Sequence, residues 1–427
     1  MERPDFKQLR VAVVGGGIGG LSAALALRRA GHKVSVYERR GFDVEVGASI
    51  SCAANGTQWL HEWGVDVPSG KPVVLMHLIM RDWKTGKILN DYNLEGYERE
   101  WGNVYNMFHR QDMHKMLLDA ATSPEGKGTP CEVVVDHICK SVEVDAGIIH
   151  FENGNSVEAD LVIGADGIRS KVREEIGNKT SKKSAPQTCY RVNVSKEEIE
   201  RLGLDWAADP AIQFWGGYPQ EGLSQYYKVV MSPCAGGDIV SFYLFMPTQL
   251  TNHQEEGFVF AEAPVEEILV GAYKDLDERC RTLIEHSVER KPWRLYMHDP
   301  YSKWYKGKTC IIGDAAKPMM PHQSQGACQA IEDAAALGII FSPKYAQYTH
   351  NVSDGLALYQ AIRSPRGTRV QDASKRALEN LNERIGFSSL SAPEAALATK
   401  ENKLTVDEMN RYDMHSHIAS QVALESH

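Results

Sequence analysis

Residues 9–39 read LRVAVVGGGIGGLSAALALRRAGHKVSVYER. Val11 to Val14 form a short apolar, β-branched run, the signature of a buried strand. Gly15, Gly17 and Gly20 then give G-x-G-x-x-G. An alanine- and leucine-rich stretch follows with helical spacing, Gly31 stops it, and VSVYE forms a second strand ending in Glu38. Each part has a physical task. Gly15 permits a tight turn, Gly17 lets backbone approach a pyrophosphate, and Gly20 lets helix and strand pack closely. The helix N-terminus offers free N–H groups and the positive end of its dipole to phosphates. Glu38, 18 residues after Gly20, stands where a carboxylate accepts from ribose hydroxyls. An acid there suits FAD or NAD and repels the extra phosphate of NADP. A lone glycine triplet is a weak signal. Strand, turn, helix, strand and terminal acid in order make a dinucleotide site.

Two further segments repeat the grammar of strand, glycine–aspartate pair, loop and helix. In ADLVIGADGIRSKVREEIG (159–177) a buried strand runs into Asp166-Gly167 and a helix begins near Ser170. In CIIGDAAKPMMPHQSQGACQAIEDAAALG (310–338) the strand ends at Gly313-Asp314, a loop with two prolines follows, and a helix starts near Gly326. Taken together, GGGIGG with Glu38, GADGIRSKVR, and IIGDAAKPMMP with SQGACQAIEDAAAL resemble the single-domain flavoprotein aromatic hydroxylases (group A flavin monooxygenases). VEVGASISCAANGTQWLHEWG (44–64) and NMFHRQDMHKMLLDAA (106–121) are similar to segments of its salicylate-hydroxylase-like fungal branch.

The resemblance implies roles position by position. Glu38 binds the adenosine ribose, Gly47 and Ala48 lie along the ribityl side, and Arg110 stands near the FAD pyrophosphate. Asp166 belongs to a motif linked to FAD and to transient nicotinamide binding; by itself it is also a helix cap. Asp314 accepts from a ribityl hydroxyl, and Gly326 and Ala327 present backbone N–H groups to the flavin's pyrimidine edge. No second glycine fingerprint exists for NADH or NADPH, which fits a family where the nicotinamide docks transiently. The implied activity is hydroxylation of a phenolic or hydroxybenzoate-like ring with O2 through a flavin hydroperoxide, with decarboxylation in a salicylate or 4-hydroxybenzoate 1-hydroxylase version. Arg191, His322 and Tyr227 are the catalytic candidates: an anion clamp, a proton mover and a pocket wall, with Tyr226 and Tyr243 as further wall candidates. Two departures bear on the substrate. SPCA (232–235) stands where relatives carry Tyr-Pro-x-Arg, and Lys317 stands where they carry histidine. Rival readings are dearomatisation or epoxidation in secondary metabolism, a simple dehydrogenase or oxidase, and a flavin-binding redox sensor without turnover.

The expected architecture is α/β. A Rossmann-like FAD-binding domain (1–70, 101–182, 293–345) is interleaved with a mixed-sheet substrate domain (71–100, 183–292), and helices fill 346–427. A Lys-Thr-Gly turn within 73–94 predicts a hairpin; 264–287 predicts an amphipathic helix, 354–384 predicts helices, and the tail beyond Arg384 carries little pattern. The 427 residues, 43% apolar and 24% charged, suit two interleaved domains. A net charge of −9 argues against nucleic acid. No apolar run reaches the roughly 20 residues of a membrane span, and the polar N-terminus predicts a cytoplasmic protein. The eight scattered cysteines predict packed thiols, and histidine spacing predicts no metal site. Monomer and homodimer are both compatible with the chain.

Overall fold

A computed structural model describes residues 5–42, 47–251, 262–388, 396–398, 400–401 and 403–425. The opening stretch folds as its pattern predicts: strand Arg10–Val14, helix Ile18–Ala30 and strand Lys33–Tyr37. These strands lie centrally in a six-stranded sheet of spatial order Tyr305–Lys306, Thr309–Ile311, Leu161–Gly164, Arg10–Val14, Lys33–Tyr37 and Glu132–Val134. All neighbours pair in parallel except the terminal Tyr305–Lys306 strand. The three strands that precede the glycine motifs are therefore adjacent, and their C-terminal ends deliver all three turns to one edge, where an open parallel sheet binds ligands.

The second sheet has seven strands, ordered Val288–His298, Lys182–Ser195, Ile239–Pro247, Lys228–Cys234, Ala211–Gly216, His77–Arg81 and Ile88–Asn93. Only the pair formed by Ala211–Gly216 and His77–Arg81 is parallel, so the sheet is mixed. The hairpin around Lys84-Thr85-Gly86 supplies its edge, with His77–Arg81 antiparallel to Ile88–Asn93. The strand Val288–His298 carries this sheet past residue 293. Period-2 alternation divides its two faces. Tyr190, Val192, Tyr227, Val229, Phe242 and Leu244 join a separate core with Cys280, Leu283 and Ile284 of the helix Glu278–Glu285. The opposite face turns toward the first sheet.

Two helical expectations differ in detail. Residues 264–287 form no continuous helix: Val265–Ile268 and Gly271–Asp275 are short turns before Glu278–Glu285, whose cap is the Asp277 carboxylate. Conversely, Val352–Glu379 is one helix of 28 residues that runs through Pro365. The tail is ordered where described: Thr405 and Glu408 form a reciprocal capping box, and Met409, Met414 and Ile418 are buried in the main core. All eight cysteines are free. Among the described residues no helix is long and apolar enough to cross a membrane, and no cluster of three or more His, Cys, Asp or Glu could hold a metal.

Candidate active site

Two helices aim their N-termini at the same cleft. A Cβ on Gly19 would stand 3.2 Å from Ala330, and one on Gly338 would stand 3.0 Å from Ala26, so helix Ile18–Ala30 and helix Gly326–Ile340 lie side by side in the same direction. Neither has a side-chain cap at its first turn, which leaves backbone N–H donors for a ligand. Gly15 holds φ +105°, a conformation that favours glycine, and a Cβ there would meet the Ala165 carbonyl at 2.5 Å. Gly20 packs against the Gly15 carbonyl, 1.9 Å from where a Cβ would stand. Gly17 and Gly326, by contrast, face open space. Two glycines closed in by packing, beside two glycines open to the cleft, fit a dinucleotide pyrophosphate and a flavin edge.

The acids follow the same plan. Glu38 directly follows the second strand, and its Oε2 accepts from the Gly16 N–H at 2.7 Å. Asp166 takes the capping role: Oδ2 accepts from Lys171 N at 2.7 Å and Val172 N at 3.1 Å, while Oδ1 is buried and unpartnered among the described residues. Burial raises its carboxyl above the usual range, against the pull of Ser170 and the helix N–H groups. Asp314 opens onto the cleft yet is enclosed by protein behind it. This enclosure raises its carboxyl, and Lys317, Arg110 and Arg173 oppose the rise. Arg110 begins the helix Arg110–Thr122, its N–H donating to the Ala48 carbonyl at 2.9 Å. A Cβ on Gly47 would lie 2.0 Å from the His109 ring, so a side chain there would displace that ring. Asp166→Ala is expected to lower stability by about 1 kcal/mol through the lost cap, read as a drop in the melting midpoint of FAD-free protein. Asp166→Asn should keep the cap, so FAD loss that persists in that variant would assign the charge itself to the cofactor.

A cavity of about 240 Å³ opens beside this cleft. Its sheet wall is one alternating face: Lys228, Val230 and Ser232, then Ile212 and Phe214, then Tyr243 and Phe245. Its other wall is the proline loop with Met319, Met320 and His322, ending at Gly326 and Ala327. Asp314 lines it too, so cofactor cleft and cavity are continuous. Of the three catalytic candidates, only His322 lines this space. Tyr227 alternates to the other face, where its ring meets Trp83 and Tyr273 in the second core. Arg191 shares the cavity-side face with its cross-strand neighbour Tyr243, but its guanidinium is 4.2 Å from the centre of the Trp293 ring and outside the lining. Tyr243 is brought in, with its hydroxyl donating to the Ser49 carbonyl and its pKa pushed up to about 12 by burial.

The described residues thus combine a two-helix dinucleotide cleft, three acids at its corners and an aromatic-walled chamber at its flavin end. The FAD binding domain family matches residues 8–374. The chain belongs to that family. It is an FAD-dependent monooxygenase of the aromatic-hydroxylase type. It is 31% identical to the FAD-dependent monooxygenase cfoG of Aspergillus candidus, over 95% of this chain and 96% of that protein. It is 29% identical to 3-hydroxybenzoate 6-hydroxylase of Klebsiella oxytoca, over 85% of this chain and 86% of that one. In fold it matches a salicylate hydroxylase–substrate complex with a TM-score of 0.70 at 22% identity, covering 96% of this chain and 97% of the other.

Several features of the monooxygenase site are visible only in three dimensions. Lys228 reads in sequence as a polar interruption of an apolar strand, yet it is 1% exposed and lies at the cavity wall. Ser232, in the departing SPCA segment, donates to Ser49 Oγ at 2.8 Å. The loop 313–325 is held from several sides. Arg173 donates to the Ala315 carbonyl at 3.1 Å, Gln371 to the Pro318 carbonyl at 2.9 Å, and Gln323 to the Ala373 and Glu383 carbonyls at 3.1 Å. Behind it, Lys317, Asp333, Arg363, Glu332 and Arg366 form a buried ionic chain. The signal for that chain was the run of acids and cations in IED and RSPR, which sequence spacing alone could not pair.

Proposed function

We propose that the enzyme consumes NADH or NADPH and O2 to hydroxylate a phenolic or hydroxybenzoate-like ring, with loss of the carboxyl group where one stands at the attacked carbon. The observation that carries this reading is the continuity of the chamber with the Asp314, Gly326 and Ala327 end of the cofactor cleft. The chamber pairs apolar walls suited to one ring with a few polar groups that fix its orientation. Relatives 29% identical to this chain are named 3-hydroxybenzoate 6-hydroxylase, hispidin-3-hydroxylase and 6-hydroxynicotinate 3-monooxygenase.

The chemistry bound FAD supplies is hydride acceptance from the nicotinamide and activation of O2 toward an electron-rich ring. The chain's own residues do the rest. Glu38 would hold the adenosine ribose, and the Gly15–Gly17 turn and Arg110 the pyrophosphate. Asp314 would hold the ribityl chain. The open N-terminus at Gly326 and Ala327 would stabilise negative charge on the pyrimidine edge through its N–H groups and dipole. The sheet face and proline loop exclude water and orient the ring.

The test measures NADH and NADPH oxidation by the yellow protein with a panel of hydroxybenzoates and other phenols, under isotopically labelled oxygen, with mass analysis of products. One labelled oxygen gained with carbon dioxide lost supports decarboxylating hydroxylation. A gain with the carboxyl kept assigns plain ring hydroxylation. No ring-stimulated oxidation and no labelled product across the panel would overturn the phenolic reading.

A further inference from the structure

Lys228 and His322 meet at one end of the chamber. Lys228 Nζ lies 2.7 Å from His322 Nδ1, and the two are 1% and 5% exposed. Lys228 has no carboxylate partner among the described residues. Charged or titratable groups approach from several elements: Cys189 two strands away on the same face, Arg384 from the C-terminal segment, and Asp314 farther along the cavity wall. The Tyr273 hydroxyl is directed elsewhere, donating to the Lys228 and Phe245 carbonyls. Burying an ammonium without a counter-ion is costly. Burial accordingly pushes the amine down to about 7, with Cys189 weakly opposing and Arg384 adding repulsion. The imidazole is in the same position: burial, then Lys228, holds it well below its ordinary value, so it is neutral.

A neutral His322 whose Nδ1 faces the amine keeps its proton on Nε2. That nitrogen is buried and has no partner among the described residues. The chamber therefore holds a cation site without an anion and, beside it, an N–H donor without an acceptor. The Phe245 ring completes this end, 5.0 Å from Nζ and 5.1 Å from the imidazole.

We propose that the Lys228–His322 pair is the anion-holding end of the substrate chamber, binding an acidic ring hydroxyl as its oxyanion with the proton kept on Lys228. This rests on the chamber being the substrate site. The step balances: the substrate O–H bond breaks, the proton joins the Nζ lone pair, and the anion and ammonium form together. No net charge enters the buried space, and the oxyanion takes the donor that Nε2–H offers. Ionisation also makes the ring electron-rich, which favours attack by an electrophilic oxygen. Lys228 thus selects hydroxylated rings that ionise near neutral pH over ethers and unsubstituted rings.

The test uses 4-nitrophenol, which absorbs visible light only when ionised, added to the FAD-loaded protein and followed by difference spectra across pH. Wild-type protein is expected to bind it as the phenolate and to lower its apparent pKa by about one unit or more, a tenfold shift. Lys228→Met should abolish the shift. Lys228→Gln is the alternative should Met perturb folding, and Lys228→Arg should keep the anion. Neutral nitrophenol in wild-type protein, an unchanged shift in both Met and Gln variants, or no binding at any pH overturns the proposal. Failure of the oxygenation reading is separately visible: the phenolate still binds and shifts while no ring stimulates NADH or NADPH oxidation. The converse pattern, oxygenation with a pH profile unmoved by loss of Lys228, sinks the ion-pair proposal alone.

Discussion

Gly20→Ala is expected to purify without its flavin. The added Cβ would stand 1.9 Å from the Gly15 carbonyl oxygen and 3.3 Å from the Ala165 Cβ. The near neighbour is backbone, so no side chain can swing away. Helix Ile18–Ala30 must instead move by about 1 Å, carrying its first-turn N–H groups off the pyrophosphate position. Losing two charge-assisted hydrogen bonds at about 1.5–3 kcal/mol each weakens FAD binding by at least about a hundredfold. The visible flavin absorbance per protein and the affinity of FAD for stripped protein read this directly. Gly17→Ala separates the causes. Gly17 has φ −74° and nothing near its missing side chain, so alanine fits the FAD-free protein. That variant should melt as wild type does without flavin and still bind FAD poorly, because its methyl group enters the space that the pyrophosphate needs. Stoichiometric, tightly held FAD in Gly20→Ala would show that the helix is not positioned by this contact.

How far the sequence led is best seen at single residues. Gly15, Gly17, Gly20 and Glu38 form a pattern that spacing reports, because a dinucleotide turn needs local geometry: a turn, an open Cα, a strand-end acid. Asp314 and Gly326 were singled out through the family resemblance instead. Tyr227 and Lys228 show the limit. Alternation assigns neighbours to opposite faces but does not say which face meets the cofactor. In a sheet buried on both faces, hydrophobicity carries no further information. The tyrosine read as the pocket wall went to the core, and Lys228, to which the sequence assigned no role, came to the chamber. The proline in Val352–Glu379 is another case. Pro365 cannot donate to the helix ladder, yet Arg363 and Arg366 on either side of it are tied to Glu332 and Asp333, and these long-range contacts hold both halves in one helix. The capping box of Thr405 and Glu408, by contrast, was a local signal present in a tail read as weakly patterned.

That ionic chain sets the second large expectation: Asp333→Asn should destabilise the protein severely and disturb the flavin loop with it. Asp333 is fully buried. Its Oδ1 accepts from Arg363 Nε at 2.9 Å, and its Oδ2 accepts from Lys317 and from the Gly313 N–H at 2.9 Å. It therefore joins the long helix to the turn that carries Asp314. The amide keeps the shape and removes the charge, leaving Lys317 and Arg363 buried with Glu332 as the remaining acid of the chain. Breaking a buried pair in this way costs about 3–5 kcal/mol, on the order of 5 °C or more in melting midpoint. Lys317 can shed its proton and Arg363 cannot, so Asp333→Asn with Lys317→Met should recover part of the loss and no more. The pH dependence has a definite sign. Burial already holds Lys317 below its ordinary value, with Asp333 opposing. Without Asp333 its folded pKa falls further, the unfolded chain binds more protons, and stability rises with pH toward the unfolded lysine value. Glu332 gives the acid limb in wild type. Burial alone would raise it, but Arg366 and Arg363 outweigh burial and hold it at about 2. Its contribution is present above the unfolded carboxyl value and is lost as pH falls from there through about 2. Melting midpoints across pH for wild type, Asp333→Asn and the double variant test all three statements. A wild-type midpoint in Asp333→Asn would mean that the chain contributes no stability, and an unchanged FAD affinity would mean that the turn at Gly313 is held without it.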